Sequence, residues 1–201
     1  MLFFFLSAIF AGVFLGLLRG GRLDGLARLQ VRRPWLLAAG TLLWLVTVPL
    51  PLQLWLHLAA FAPLLRLLAQ ALLLLFIWQN RAIPWLLFVG LGLLANVVVM
   101  AANGGQMPVD ETLMGLLGLT GKVAQMKQQG LWLHSRPIGP DTRLPFLGDV
   151  LYLGPPFPWP SIVSPGDVLI ALGVFLAVQS AMLAGAPRSV LPPLGSRRQP
   201  R

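Results

Sequence analysis

The hydrophobic residues of this chain fall into five long runs, separated by short polar turns and one long polar stretch. A helix needs roughly 20 residues to cross the apolar core of a bilayer, because each residue adds about 1.5 Å along its axis. Each run is close to that length and contains few charged residues. The pattern therefore predicts five membrane-spanning helices, at about residues 1–18, 34–56, 58–78, 85–102 and 168–186.

The basic residues are concentrated in the short turns and at the C-terminal end. If the N-terminus lies outside, the inner side holds ten arginines: five between residues 19 and 33, Arg81, and four after residue 187. The outer stretch, residues 103–167, then holds four basic residues. Because short cytoplasmic loops are enriched in arginine and lysine, this distribution predicts an outer N-terminus and a cytoplasmic C-terminus. The turn at 19–33 is either a simple basic turn or a short helix lying on anionic headgroups.

The long outer stretch has three parts that differ in composition. Asp110 begins an amphipathic pattern that predicts one helix reaching to about Gln129. A polar middle follows, and the last part, residues 144–165, is apolar with six prolines, which exclude a helix. We therefore expect an extracytoplasmic cap, residues 103–167, that folds onto the outer end of the helices.

The predicted fold class is an all-α membrane protein, a five-span helical bundle closed by a loop cap that contains one amphipathic helix and a proline-rich segment. Residues 1–186 form this domain, and residues 187–201 form a disordered, basic cytoplasmic tail. The composition agrees, with 57% hydrophobic and 10% charged residues, against about 25% charged in soluble domains. The net charge of +9 reflects topogenic arginines, so we expect the lipid bilayer and no nucleic acid as a partner.

The sequence contains no recognised cofactor or metal motif. Two glycine-rich segments, residues 90–95 and 115–122, lack the flanking strand or the serine or threonine of nucleotide-binding loops. Small residues for close helix packing explain the first of them better. The chain has no cysteine, and its two histidines, His57 and His134, lie in different segments without ligand partners at metal-binding spacing. We therefore expect no metal and no cofactor.

Arg66 is the one charged residue well inside a predicted span. A charge at that depth costs a few kcal/mol and normally faces other helices or extends toward the interface. Gln70, Asn96 and Asn103 are candidate partners. Arg66 belongs either to an anion-binding or proton-linked site, or to a tie that holds the outer cap through Asp149. We favour the tie.

Two Gly-Asp elements, Gly148-Asp149 and Gly166-Asp167, lie in the outer part of the chain. Two carboxylates that share a proton can perform acid–base chemistry. Intramembrane aspartyl proteases carry a Gly-x-Gly-Asp element, but Phe146 and Ser164 stand in the place of the first glycine here. The segment from Ser164 to Asp167 is also typical of a helix start, where a carboxylate lies near the positive end of the helix. We favour this structural interpretation.

Several short motifs occur in order along the chain and resemble those of one family. They are Leu18-Arg19-Gly20-Gly21, Asn103-Gly104-Gly105-Gln106-Met107-Pro108-Val109, Phe146-Leu147-Gly148-Asp149 and Ser164-Pro165-Gly166-Asp167-Val168. On these motifs, residues 1 to about 186 resemble a group of small bacterial integral membrane proteins, the domain of unknown function numbered fifty-three seventeen. The resemblance implies a bacterial five-span membrane protein and implies no activity.

The motifs gather at the predicted outer mouth of the helices. The candidate polar site there consists of Arg66, Asn103, Asp149 and Asp167. The surrounding structural motif consists of Gly104, Gly105, Met107, Pro108, Gly148, Ser164, Pro165 and Gly166. We expect Gly104-Gly105 to turn the backbone sharply as it leaves the membrane.

Three functions stay open at this point. The first is a non-enzymatic accessory or binding component of the cell envelope, in the bacterial inner membrane, with an unidentified membrane protein as partner. It predicts an exposed apolar patch or groove. The second is a carrier or sensor for a small anion or lipid headgroup, which predicts a hydrated cavity around Arg66. The third is a membrane hydrolase that uses Asp149 and Asp167, which predicts converging carboxylates and a raised pKa on one of them.

Overall fold

The computed structural model describes residues 2–47, 61–83, 85–121, 123–124, 135–155, 157 and 160–184. Its α-helices are α1 (Leu2–Leu18), α2 (Asp24–Ala27), α3 (Pro34–Val46), α4 (Ala62–Gln79), α5 (Leu86–Ala102), α6 (Glu111–Leu116) and α7 (Pro165–Ala184). Its strands are β1 (Met107–Val109), β2 (Ser135–Pro137), β3 (Leu151–Leu153) and β4 (Ser161–Val163). The prediction of a mostly helical protein is confirmed. Several predicted features lie outside the described residues: the tail, both histidines, residues 48–56 of the predicted second span and residues 58–60 of the predicted third span.

The five long helices coincide with the five apolar runs. Two of them, α4 and α7, are long and apolar enough to cross a membrane. The other three, α1, α3 and α5, are apolar but shorter within the described residues. α1, α3 and α5 begin within one residue of the predicted positions, whereas α4 begins at Ala62 and α7 at Pro165, three to four residues from the predicted starts at 58 and 168. Both α3 and α7 start with proline at the first position, where a missing N–H costs nothing.

The long helices pack mainly in the spatial order α3, α4, α5, α7, α1, and α2 packs on α7. Each of the two end helices, α1 and α3, therefore has one main neighbour among the described long helices. This arrangement of the described helices is a row, and the five-span bundle stays a prediction. Apolar side chains remain exposed along both end helices, for example Phe10 at 71% and Leu42 at 62%.

The contact between α5 and α7 is unusually close. A Cβ on Gly92 would collide with the Gly166 carbonyl oxygen, and a Cβ on Gly166 would collide with the Gly92 carbonyl oxygen and the Asn96 side chain. Two turns further along α7, Gly173 lies against Val89 of α5. Small residues let helix backbones approach in this way. The interpretation of the first glycine-rich segment as a packing element is confirmed at Gly92.

The predicted amphipathic helix begins where expected but ends early. The Asp110 carboxylate caps α6 by accepting the backbone N–H groups of Thr112 and Leu113 at 2.7 and 3.3 Å. The helix then ends in a Schellman motif around Gly118, whose φ is +70°, and helical residues resume at 120. The expectation of one continuous helix is therefore wrong, because Gly118 adopts a left-handed conformation that a helix cannot contain. The stretch from 125 to Gln129 lies outside the described residues.

The cap also contains short strands that the all-α prediction did not include. Strands β1 and β2 pair in parallel, with Met107 opposite Ser135. Strands β3 and β4 pair antiparallel, with Leu151 opposite Val163. An isolated bridge joins Val109 to Asp149. The described part of the proline-rich segment forms no α-helix before Pro165, as predicted, although Pro145–Leu147 form one turn of 3-10 helix.

Candidate functional site

The start of α7 forms a reciprocal cap. The Ser164 hydroxyl oxygen accepts the backbone N–H of Asp167 at 3.0 Å, and the Asp167 carboxylate accepts the backbone N–H of Ser164 at 3.1 Å. This is a capping box, which satisfies two N–H groups that a helix start leaves without partners. The predicted role of this segment as a helix start is confirmed.

Asn96 of α5 closes this cap into a buried ring. Its amide nitrogen donates to the second Asp167 carboxylate oxygen at 2.9 Å, and its amide oxygen accepts the Ser164 hydroxyl proton at 2.9 Å. All three side chains are buried, and Asp167 is only 2% exposed. Both carboxylate oxygens of Asp167 are therefore committed to internal hydrogen bonds, and the ring joins α5 to α7 at the close crossing of the two helices.

Asn103 ends α5 and holds the cap. Its amide nitrogen donates to the carbonyls of Val99 and Arg143, both at 2.8 Å. Its amide oxygen accepts the backbone N–H of Arg143 at 3.0 Å. The buried Asn103 side chain thus hydrogen-bonds to both backbone polar groups of Arg143, which fixes this part of the cap against the end of α5.

The double glycine after Asn103 makes the turn that its sequence predicted. Gly104 and Gly105 have φ values of +68° and +78°, in the region that favours glycine. The Gly105 N–H donates to the Met100 carbonyl at 2.7 Å, which satisfies one of the last carbonyls of α5. Gly105 also lies against Pro63 at the start of α4, with no room for a Cβ.

Arg66 lies buried on α4, with 3% exposure. Its guanidinium donates to the Gly105 carbonyl at 3.4 Å. Among the described residues it forms no ion pair with Asp149, so the expected partner is wrong. The interhelical tie is made through the backbone turn after α5. One helical turn away, Gln70 donates to the Met100 sulfur at 3.1 Å.

Asp149 lies beside β1, held by its backbone. Its N–H donates to the Pro108 carbonyl at 2.7 Å, and its carbonyl accepts the Asp110 N–H at 3.1 Å. The preceding Gly148 approaches the Pro108 carbonyl so closely that a Cβ would lie 2.5 Å from that oxygen. Met107 at the start of β1 packs into the apolar cluster at the end of α5. Two predicted motifs, residues 107–109 of β1 and Gly148-Asp149, are therefore in direct contact.

The side chain of Asp149 differs in environment from that of Asp167. It is 6% exposed, and its Oδ1 has no hydrogen-bond partner among the described residues. Burial raises the pKa of Asp149 well above its ordinary value, and the negative charge of nearby Asp167 raises it further. The two carboxylates are close enough to interact electrostatically, but they do not hydrogen-bond to each other. Within the described residues, no group of three potential metal-binding acidic, histidine or cysteine side chains occurs.

One polar residue that the sequence did not single out repeats the role of Asn103 at the other end of the molecule. The Asn80 amide oxygen accepts the Arg32 N–H at 2.7 Å, and its amide nitrogen donates to the Arg32 carbonyl at 3.0 Å. The same nitrogen donates to the Phe76 carbonyl at 2.8 Å. An asparagine at the end of an apolar run, just before a turn, is the sequence signal for both residues.

An apolar groove of about 890 Å³ runs between α1 and α7. Its walls are apolar side chains of the two helices, together with Phe157 from the cap. The α1 wall includes three small residues, Ser7, Ala8 and Ala11. It is separate from the buried polar residues of the cap, and its volume lies within the range of ordinary ligand pockets.

These features define a mostly helical protein with two helices long and apolar enough to cross a membrane. The chain belongs to a family of unknown function (DUF5317), which matches residues 28–179. An uncharacterised protein of Thermotoga maritima is 31% identical over 134 residues, covering 67% of this chain and 71% of the relative. No solved structure matches the chain. The family resemblance is confirmed, although α1 and the motif at residues 18–21 lie outside the matched residues.

Proposed function

We propose that this chain is a five-span protein of the bacterial inner membrane that serves, without catalysis, as an accessory or binding component of the cell envelope. Its N-terminus lies outside, and the cap covers the outer end. The exposed apolar surface of the end helices supports the membrane location. Large apolar patches are rare on soluble monomers, whereas acyl chains solvate them without cost.

The hydrogen bonding of the cap supports a non-catalytic role. A catalytic group needs an atom that is free to meet a substrate. The side chains of Asp167, Ser164 and Asn96 satisfy one another, and Asn103 is committed to Arg143. These residues hold the cap on the helices.

The groove between α1 and α7 carries the proposal of a binding role. We infer that its occupant is an apolar transmembrane helix of another membrane protein. Helices in lipid associate by close packing where small residues line the contact, and Ser7, Ala8 and Ala11 provide such a wall. Because α1 has one main helix neighbour, the side of α1 that forms the groove is open to a partner.

Single-cysteine labelling tests the topology, because the native chain contains no cysteine. With a membrane-impermeant maleimide on intact spheroplasts, Asp141→Cys in the cap is expected to react. Arg28→Cys, in the turn before α3, is expected to react only after the membrane is permeabilised. Both positions are exposed, so access to reagent is the difference between them. Labelling of Arg28→Cys in intact spheroplasts contradicts the proposed orientation.

Filling the groove tests the binding role. Ala11→Trp is expected to abolish a larger assembly that the native chain forms in membranes solubilised in mild detergent, because the indole occupies the partner's place. Native electrophoresis and mass spectrometry of the assembly provide the measurement. Leu17→Trp is the matched control, on the same helix and 51% exposed but outside the groove.

Two results of this experiment contradict the binding role. The first is an assembly that persists in Ala11→Trp as it does in Leu17→Trp. The second is an assembly that contains only copies of this chain, which would make the groove a contact between copies. A larger assembly lost only in Ala11→Trp, with a second membrane protein as its other component, supports the proposal.

The raised pKa of Asp149 beside a second carboxylate favours a hydrolase as the second candidate function. Acid–base catalysis by the pair requires both carboxylates to reach a substrate. The internal bonds of Asp167 weigh against this role, and so does the burial of both side chains. The outer-mouth carrier has less support, since the residues around Arg66 form buried ties.

A further inference from the structure

A cavity of about 230 Å³ lies at the C-terminal end of α4, away from the cap. Its lining comes from two segments, residues 30–32 before α3 and residues 79–83 at the C-terminal end of α4 and just beyond it. This lining includes two guanidinium-bearing residues, Arg32 and Arg81, and three amide-bearing residues, Gln30, Gln79 and Asn80. No acidic residue lines the cavity, so it carries a net positive charge.

The position of Arg32 is fixed while its side chain remains uncommitted. Asn80 binds both backbone polar groups of Arg32, at 2.7 and 3.0 Å, and Asn80 is itself buried. The next residue, Arg33, has a φ of +52°, an unfavourable conformation for a residue with a side chain. The Arg32 guanidinium makes no hydrogen bond or ion pair with the rest of the described chain. The fold therefore anchors the backbone and leaves the charged group for another partner.

Arg81 is held from the other side of the cavity. Its guanidinium lies 4.8 Å from the ring centre of Trp78 and donates to the Trp78 carbonyl at 3.4 Å. Tryptophan and arginine at a helix end are typical of the membrane–water interface. The acidic residue closest in sequence to the cavity segment 30–32 is Asp24, which already forms an ion pair with Arg22 at 3.0 Å. Neither arginine of the cavity is neutralised by a carboxylate among the described residues.

We propose that this cavity binds a phosphate group, carried by an anionic lipid headgroup or free in solution. Guanidinium groups present several N–H donors in a planar fork that matches phosphate oxygens, and such charge-assisted hydrogen bonds are strong. The cavity is several times larger than the roughly 30 Å³ that a water molecule occupies in the liquid, so a tetrahedral phosphate fits. This site is independent of the groove between α1 and α7.

Native mass spectrometry of the full chain in detergent tests the site. Phosphatidylglycerol, phosphatidylcholine and inorganic phosphate are added separately, and the retained species are counted. The native chain is expected to retain one phosphatidylglycerol at concentrations where phosphatidylcholine is not retained. Arg32→Gln and Arg81→Gln are each expected to weaken this retention at least tenfold. Retention of inorganic phosphate at the same site, lost in the same variants, identifies a general phosphate site, whereas retention of the lipid alone identifies a headgroup site.

Arg28→Gln is the matched control, since it removes the same charge from an exposed position in the same turn but outside the cavity. It is expected to retain the lipid as the native chain does. Equal weakening by Arg28→Gln and Arg32→Gln means unspecific charge attraction and overturns the proposal. Equal retention of phosphatidylglycerol and phosphatidylcholine, with no retention of inorganic phosphate, also overturns it. The unfolding midpoint of Arg32→Gln without lipid is expected to equal that of the native chain, because the Arg32 guanidinium makes no hydrogen bond or ion pair with the described residues.

Discussion

Gly92→Ala is expected to destabilise the protein by about 1–3 kcal/mol, a typical cost of overpacking a tight contact. The new methyl group would collide with the Gly166 carbonyl and the Ile170 backbone, neither of which can move without shifting α7. Because the Asn96–Ser164–Asp167 ring lies at the same crossing, a shift of α7 also strains its hydrogen bonds. The measurement is the unfolding midpoint of the purified protein in detergent.

Gly90→Ala is the matched control for this prediction, two residues away on the same helix. Its methyl group would meet only the Ile77 side chain at 3.1 Å, which can adjust. Alanine is also favoured over glycine in a helix by about 1 kcal/mol. We therefore expect a neutral or slightly stabilising effect. Equal destabilisation by the two substitutions would show that the α5–α7 crossing is not the tight contact described above.

Asp167→Ala is expected to destabilise the protein by about 2–4 kcal/mol. The substitution leaves two buried donors, the Ser164 N–H and the Asn96 amide nitrogen, without acceptors. Each buried donor left unsatisfied costs about 1–3 kcal/mol. Relief of repulsion with Asp149 offsets part of this loss. Thermal or denaturant unfolding in detergent, compared with the native chain at pH 7, measures the effect.

Asp149→Asn is the matched substitution of the second aspartate and is expected to have the opposite sign. Because burial raises the pKa of Asp149 in the folded protein, the folded state holds a proton that the unfolded chain releases. The native fold therefore loses stability as pH rises from the ordinary carboxyl pKa, about 3.9, to the raised value. Asparagine removes this loss, so the variant is more stable than the native chain at neutral pH and equal to it in acid. Destabilisation of Asp149→Asn at pH 7 would mean that the carboxylate has a favourable partner when ionised.

These two substitutions also separate the candidate functions. If the two aspartates serve only the fold, the two variants change the stability of the protein with opposite signs. The assembly that depends on the groove between α1 and α7 is then unchanged in both variants. A hydrolase requires both carboxylates, so either substitution would abolish its reaction. The same pair of variants therefore provides the comparison for any hydrolytic activity found with membrane peptides or lipids.

Much of the local structure follows from short-range pattern. Asp110, Ser164 and Asp167 cap helices through bonds to residues at most three positions away, so their roles are readable from neighbouring residues. Gly104-Gly105 was likewise readable, because few other residues adopt positive φ. The early end of α6 at Gly118 was missed because the apolar pattern continues past it. The three-residue strands of the cap are too short for an alternating pattern to be recognised.

The hydrogen bonds between residues far apart in the chain could not be predicted from the pattern of hydrophobic and polar residues. Asn96 meets Asp167 across 71 positions of the chain, Asn80 meets Arg32 across 48, and Arg66 meets Gly105 across 39. A single sequence shows which polar residues lie in apolar runs, but not which helices become neighbours. The expected Arg66–Asp149 pair was wrong for this reason. The sequence places Asp149 in the cap and Arg66 in a helix next to it, but only the packing of α4 on α5 decides that the Gly105 carbonyl is the group beside Arg66.

The sequence by itself determined the apolar helices, the caps at Asp110 and Ser164, and the membership in this family, because helix formation by an apolar run and helix capping act on residues close together in the chain. Only the tertiary structure decided that the helices form a row, that Gly92 and Gly166 set the α5–α7 crossing, and that the two aspartates have different environments. Those properties depend on which surfaces meet, and the free energy of a buried polar group is set by the partners that the fold brings to it.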